Sequence, residues 1–363
     1  MNEDFLHKKI NERKEQHAYR ELRLPGEKID FCSNDYLGLV KNGLLQHSAA
    51  GLSYGSTGSR LLAGNYGLIE ETEKSIAAFH NATAGLIFNS GYDANTGLLS
   101  CVPQRGDTVL YDYLSHASIR DGIRLSFAQS VSFLHNDLND LEKKLRAAKG
   151  NIFVVTESVF SMDGDIAPLQ SIAALCNQYH ASLIVDEAHA TGVTGERGVG
   201  LVQHLGLEQA CFARIHTFGK ALGCHGAIVL GSETLRNYLI NFSRPFIYTT
   251  ALPGISIAAI KTSYQTFPSL IKERRHLQEL INVFQSSEIA FRKLASNTPI
   301  QVVVIPGNDK VKGIAALCRQ HHLDIRAILY PTVPKGSERL RIVLHAFNNR
   351  EELSTLIQLL SKE

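Results

Sequence analysis

Seven short apolar runs recur between Asn81 and Gly231: GLIF, TVLYD, VSFL, IFVVTES, SLIVDE, RIHTF and GAIVLG. Helical patterns alternate with them, and that rhythm predicts a mostly parallel seven-stranded sheet wrapped by helices. Several runs are almost continuously apolar, as strands buried on both faces tend to be. No fixed-period repeat or low-complexity segment interrupts the pattern. The fold expectation is an α/β protein whose large domain occupies residues 41–245. In such sheets ligands bind beyond the carboxyl ends of the strands. Glu157, Asp186, His189 and Thr217 stand there.

After RPFIYTTALPG a helical stretch runs toward about residue 293. The pattern then restarts with QVVVI, a helix, DIRAILY, RLRIVLHAF and a last helix. Residues 246–363 are therefore expected to hold a connecting helix and a smaller C-terminal α+β domain, and residues 1–40 an N-terminal arm. A chain of 363 residues, 44% hydrophobic and 20% charged, is long enough for a large core and a smaller companion. The net charge is only +2, with Lys and Arg spread along the chain, so no nucleic-acid partner is expected. The charged start MNEDFLHKKINERKEQ has no apolar signal core, and no window approaches the roughly 18 apolar residues of a membrane span. The six cysteines form no C-x-x-C pair, which fits reduced thiols in a cytoplasmic protein without membrane attachment.

The stretch SLIVDEAHATG, residues 182–192, contains the letters of a helicase box. An ATPase also needs a G-x-x-x-x-G-K-[ST] loop to hold phosphates and magnesium. None exists: in TFGKAL, Lys220 is followed by Ala221. A catalytic metal is not expected either, because His189 has no second histidine at ligand spacing. No G-x-S-x-G elbow is present for a serine hydrolase.

A lone lysine is ordinarily surface decoration, but Lys220 follows the run RIHTF and has small neighbours in Gly219 and Ala221. Asp186 ends another run of the same sheet. A Schiff-base amine and an acid for a pyridine nitrogen are what a pyridoxal phosphate enzyme needs. A carboxylate near that nitrogen favours its charged form, and His189, three residues on, could donate to the phenolic oxygen. A helix cap would explain Asp186 alone and a polar loop His189 alone, but neither explains both. Ser90, Gly91 and Tyr92 of NSGYDANTGLL would present N–H groups at a helix N-terminus, an anion site by geometry. Read by itself, that segment would equally well be a plain strand-to-helix turn.

With these residues in place, the chain resembles the α-oxoamine synthase family of fold-type I pyridoxal phosphate enzymes. The resemblance runs from about residue 10 to the C-terminus, through FCSNDYLGL, YGSTGSRLLAG, NSGYDAN, LSHASIRDG, TESVFSMDGDIAPL, VDEAHATGVTGERGVG, TFGKALG, IYTTALP and PTVPKGSERLRIVL. It implies that Lys220 holds the cofactor and moves protons, that Asp186 pairs with the ring nitrogen, and that His189 and Ser161 contact the phenolic oxygen. It further implies that His116 stacks on the ring and also meets substrate, that Ser90, Gly91, Tyr92 and Thr217 serve the phosphate, and that Thr249 or Thr250 reaches the partner subunit's phosphate in a homodimer with shared active sites. For substrates it implies Asn34 and Arg341 on the amino acid's carboxylate, with Arg339 the rival by spacing. Arg20 would meet the acyl group, with Arg23 the alternative, and Thr332 is a further substrate contact. Arginine suits a carboxylate because its planar fork makes two parallel hydrogen bonds.

The reaction implied is a decarboxylating condensation of L-alanine with a pimeloyl thioester, carried on CoA or acyl carrier protein, as in biotin synthesis. Glycine with acetyl-CoA and serine with a long acyl-CoA are the alternatives within the family, since a methylene changes selectivity by only about 1–3 kcal/mol. An inactive binding subunit is the alternative outside it.

Overall fold

A computed structural model describes the chain apart from residues 1, 23, 25, 47–49 and 363. Arg23, the alternative to Arg20, lies outside the described residues. The chain divides into two compact units, a larger one of residues 37–161 and 166–274 and a smaller one of residues 1–36, 162–165 and 275–363.

The larger unit is built on a seven-stranded sheet. From one edge, its strands are Ala84–Phe88, Ala227–Gly231, Cys211–Thr217, Ser182–Asp186, Ile152–Glu157, Thr108–Asp112 and Gln129–Phe133. Ala227–Gly231 runs antiparallel to both neighbours, and every other pairing is parallel. The central strands are sealed on both faces: Leu183, Ile184 and Val185 are at most 1% exposed, as are Val154 and Val155. Each such side chain contributes about 1.5–3 kcal/mol by leaving water, which is why uninterrupted apolar runs end up at the middle of a sheet. One face packs Phe88, Val155, Ile184 and Ile215 against Ala94 and Leu98 of the helix Gly91–Cys101 and Ile119 of the helix Ala117–Leu125. The chain enters both helices directly from the strand-end loops, so packing fixes the side chains at their starts.

The helical stretch after residue 254 is not continuous. It consists of Gly254–Thr266, a 3-10 turn Phe267–Ser269, and Ile271–Ser286, and Arg292–Lys293 is already a strand. Pro268 supplies the break, since it has no N–H to donate and its ring clashes with the preceding turn.

The smaller unit holds an antiparallel sheet in the order Arg326–Ile328, Arg339–Val343, Ile300–Val304 and Arg292–Lys293, with helices Asn308–Gln320 and Arg350–Leu360. The N-terminal tail belongs to this unit. Its strand Ile29–Asp30 pairs in parallel with Leu323–Asp324, and the N–H of Val343 donates to the Phe31 carbonyl at 2.9 Å. Helix Asp4–Glu15 has no buried residue. Among the described residues, no helix is long and apolar enough to cross a membrane.

Candidate active site

The central feature of the larger unit is Asp186, the last residue of its strand and 6% exposed. Burying a carboxylate is costly unless its oxygens are bonded. Both are: Oδ1 accepts from the N–H of Ala188 at 2.9 Å, and Oδ2 from the Asn95 amide at 2.7 Å. Glu157 ends the adjacent strand in register with Asp186. It is buried, and its Oε1 accepts the His116 N–H at 2.7 Å. Burial pushes its carboxyl above the usual range, the nearby charge of Asp186 pushes it further, and Lys220 opposes both.

His116 caps the helix Ala117–Leu125, with Nδ1 2.7 Å from Ser118 Oγ and accepting the Ser118 N–H. Removal from water holds its ring below the ordinary histidine value; Asp186 opposes this, and Lys220 and Arg120 reinforce it. Lys220, half-buried, follows the Cys211–Thr217 strand and shares a 2.8 Å hydrogen bond with Nε2 of the buried His189. Amine, acid and two imidazoles therefore come together at neighbouring strand ends. Ser161 lies half-buried in the turn after the Ile152–Glu157 strand.

The candidate anion cradle is a strand-to-helix turn of the expected local form. Ser90 is extended and its hydroxyl accepts from the Asp93 N–H, so the helix begins at Gly91. N–H groups of a first helical turn have no acceptor within their own helix. A side chain at Gly91 would put its Cβ 3.3 Å from Oγ1 of Thr217, so glycine lets the helix start approach the strand end. The Tyr92 hydroxyl donates to Asp121 and its side chain is half-exposed, leaving its N–H as the group in the cradle. Asn89 ties this loop to the YTT run, donating to Thr249 Oγ1 at 3.1 Å and to the Thr250 carbonyl at 2.8 Å. A flat aromatic ring bearing a phosphate at one end, a basic nitrogen at the other and an aldehyde facing Lys220 matches this donor set.

Two further clusters occur within the smaller unit. Asn34 Oδ1 accepts from Arg341 and from the buried Tyr36 hydroxyl, each at 3.1 Å. Burial pushes that phenol up to about 12, against the opposing charge of Arg341. Arg339 is occupied elsewhere: it is buried, pairs with Asp163 and donates to the Ser337 carbonyl. Arg20 donates to Thr332 Oγ1 at 3.3 Å and lines a cleft of about 840 Å³ together with Lys14, Lys312, Arg319, Arg326 and Glu21.

Asn95, Ser118, Asn89 and Tyr36 have no role in the sequence reading. All four sit inside quoted motifs, but only the fold shows what they touch. Glu187, the middle of the helicase letters, is fully buried and accepts from the N–H groups of Leu201 and Val202. It is a structural acid that holds a turn.

A family model described as aminotransferase class I and II matches residues 26–360. The chain is 40% identical to an 8-amino-7-oxononanoate synthase of Emericella nidulans, covering 98% of this chain and 94% of that one. It is also 40% identical to an enzyme of that name from Cellvibrio japonicus, covering 97% and 94%. Among solved structures, a serine palmitoyltransferase from S. paucimobilis with bound PLP superposes with a TM-score of 0.87 at 25% identity, covering 99% of this chain and 96% of that one. The family match runs through both units, and the chain belongs to the aminotransferase class I and II family.

Proposed function

We propose that the protein is a pyridoxal phosphate-dependent acyltransferase that condenses L-alanine with a pimeloyl thioester, releasing the thiol and carbon dioxide to form 8-amino-7-oxononanoate. The observation that carries this reading is the buried, doubly bonded Asp186 on the strand next to the one leading to Lys220, in a chain about 40% identical to synthases of that name along its length. When bound, the cofactor supplies an electron sink for the substrate's α-carbon.

The chain's own residues do the rest. Asp186 would pair with the ring nitrogen, where a carboxylate favours the protonated form of that nitrogen. Lys220 anchors the cofactor and moves the proton at the α-carbon, with His189 bonded to its amine. His116 would stack on the ring. Gly91, Tyr92, Ser90 and Thr217 would hold the phosphate, and Ser161 and His189 would hold the phenolic oxygen. Asn34 and Arg341 clamp the amino acid's carboxylate, which sets the orientation of the bond to be broken. Arg20, in its cationic cleft with Thr332, takes the anionic acyl donor.

The working unit in this reading is a cytoplasmic homodimer, with Thr249 or Thr250 reaching the partner subunit's phosphate. The six free thiols suit a reducing compartment. The test is thiol release by purified protein with alanine, glycine or serine against acyl-CoAs of several lengths. Turnover with alanine and pimeloyl-CoA supports the assignment; preference for glycine with acetyl-CoA, or for serine with a long acyl-CoA, replaces it with another reaction of the same kind. A colourless protein that takes up no pyridoxal phosphate would sink the whole reading.

A further inference from the structure

We propose that Asn95 is a positioning residue that couples the acid Asp186 to the imidazole of His116 through Ser118. The inference rests on the proposed cofactor chemistry and goes beyond it by assigning a role to a buried amide. Asn95 is 2% exposed and lies one helical turn after Gly91, on the same face of the helix Gly91–Cys101. Its Nδ2 donates to Asp186 Oδ2 at 2.7 Å and to Ser118 Oγ at 3.1 Å. An amide nitrogen carries two hydrogens, so both bonds can be made at once.

The donor directions then follow in order. Ser118 Oγ accepts from Asn95, so its own hydrogen is available for His116 Nδ1, 2.7 Å away. The Ser118 N–H also donates to Nδ1, at 3.2 Å. Two donors aimed at Nδ1 make it an acceptor, which fixes the ring as the tautomer with its proton on Nε2. At the other end, the Asn95 and Ala188 donors each occupy one oxygen of Asp186 and hold the plane of its carboxylate. Turning the amide over would put its oxygen against a carboxylate. Asn95 Oδ1 is buried without a partner, so the site retains this amide for its hydrogens at the expense of its oxygen.

One helix thus sets two ends of the site. Its first turn offers N–H groups for a phosphate, and Asn95, about 6 Å further along the axis, aims the acid that meets the opposite end of the ring. The helix works as a spacer between the two grips on the cofactor.

The test is Asn95→Asp, which preserves shape but replaces the donor with a second carboxylate facing Asp186. Expected results are pyridoxal phosphate release from the holoenzyme at least about tenfold easier and a changed visible absorption band. Should that variant fold poorly, Asn95→Ser removes the reach of the donor without adding charge and should move the same two readouts in the same direction. A merely structural role would lower the melting temperature and leave the band of the remaining holoenzyme unchanged. Ser118→Ala should keep cofactor affinity and lower kcat, because only the His116 end of the link is cut. Wild-type band and affinity in Asn95→Asp or Asn95→Ser would overturn the proposal while leaving the cofactor reading intact. Failure of wild-type protein to bind pyridoxal phosphate would instead overturn that reading, and this inference with it.

Discussion

The two units assemble their candidate functional residues in different ways. In the larger unit, Gly91, His116, Asp186, His189, Thr217 and Lys220 stand at successive strand ends or helix starts, because a parallel sheet brings all its carboxyl ends to one edge. In the smaller unit, Asn34 and Arg341 meet across 307 residues of sequence, and only pairing of the N-terminal tail with the C-terminal part of the chain joins them. Topology gathers the first group; specific long-range contacts gather the second. Substitutions in the first should therefore damage chemistry, whereas those in the second should separate into binding effects and stability effects.

The largest expected effect is at Lys220. Lys220→Ala should lower kcat by about 10⁴-fold or more, measured as thiol release, because in the proposed mechanism it removes both the anchoring amine and the proton carrier. Asp186→Ala should come close to it and also weaken cofactor retention. A variant of either residue with substantial turnover would break the contrast between the units.

The two arginines of the strand Arg339–Val343 sharpen it. Arg341→Ala should raise KM for the amino acid by about 10²-fold, the scale of a lost bidentate carboxylate contact, with little change in melting temperature. Arg339→Met should do the reverse, costing about 3 kcal/mol of stability by leaving Asp163 without its buried partner while KM stays near wild type. Denaturant melts and steady-state kinetics on the pair decide between these outcomes, and an exchange of the two phenotypes would reassign the carboxylate clamp.

Glu187 gives a smaller effect with a definite pH sign. Burial pushes its carboxyl up to about 7, against hydrogen bonds and the charge of Arg214, which lower it. An acid whose folded value lies above its ordinary one contributes most below the ordinary value, near pH 4.5, and loses that contribution as pH rises through about 7. Glu187→Gln should therefore gain melting temperature relative to wild type between pH 5 and pH 8. Glu187→Asp, which pulls the acceptor back from Leu201 and Val202, should cost about 1–2 kcal/mol with kcat retained. An unchanged pH slope in Glu187→Gln would show that this acid does not control it.

Arg20 should give the smallest change. Its side chain is exposed, so Arg20→Ala should raise KM for the acyl donor by about tenfold at low salt. The difference should shrink as ionic strength rises.

The larger unit's candidate site is legible in the sequence because each of its residues follows an apolar run, and the edge of a parallel sheet is predictable from such runs. Lys220, Asp186, His189 and the Ser90–Tyr92 turn could be named for that reason. Asn95 could not, since an asparagine inside a helix resembles any polar helical residue until its neighbour is known. The Asn34–Arg341 pair is legible only through resemblance to a family, for nothing local separates Arg341 from Arg339. Glu187 beside Asp186 shows the same limit. Both carboxylates stand at one strand end, and the alternation of side chains along the backbone sends one toward Asn95 and the other toward Leu201.

The order of strands and helices, the parallel sheet and the chemical types available at its edge were determined by the sequence itself, through apolar periodicity and the residues that end each run. Which carboxylate meets an amide, which arginine is buried against an acid and which imidazole nitrogen accepts a hydrogen were decided only in the tertiary structure. Hydrogen bonds act over about 3 Å, and residues tens or hundreds of positions apart come within that range only after the strands have paired.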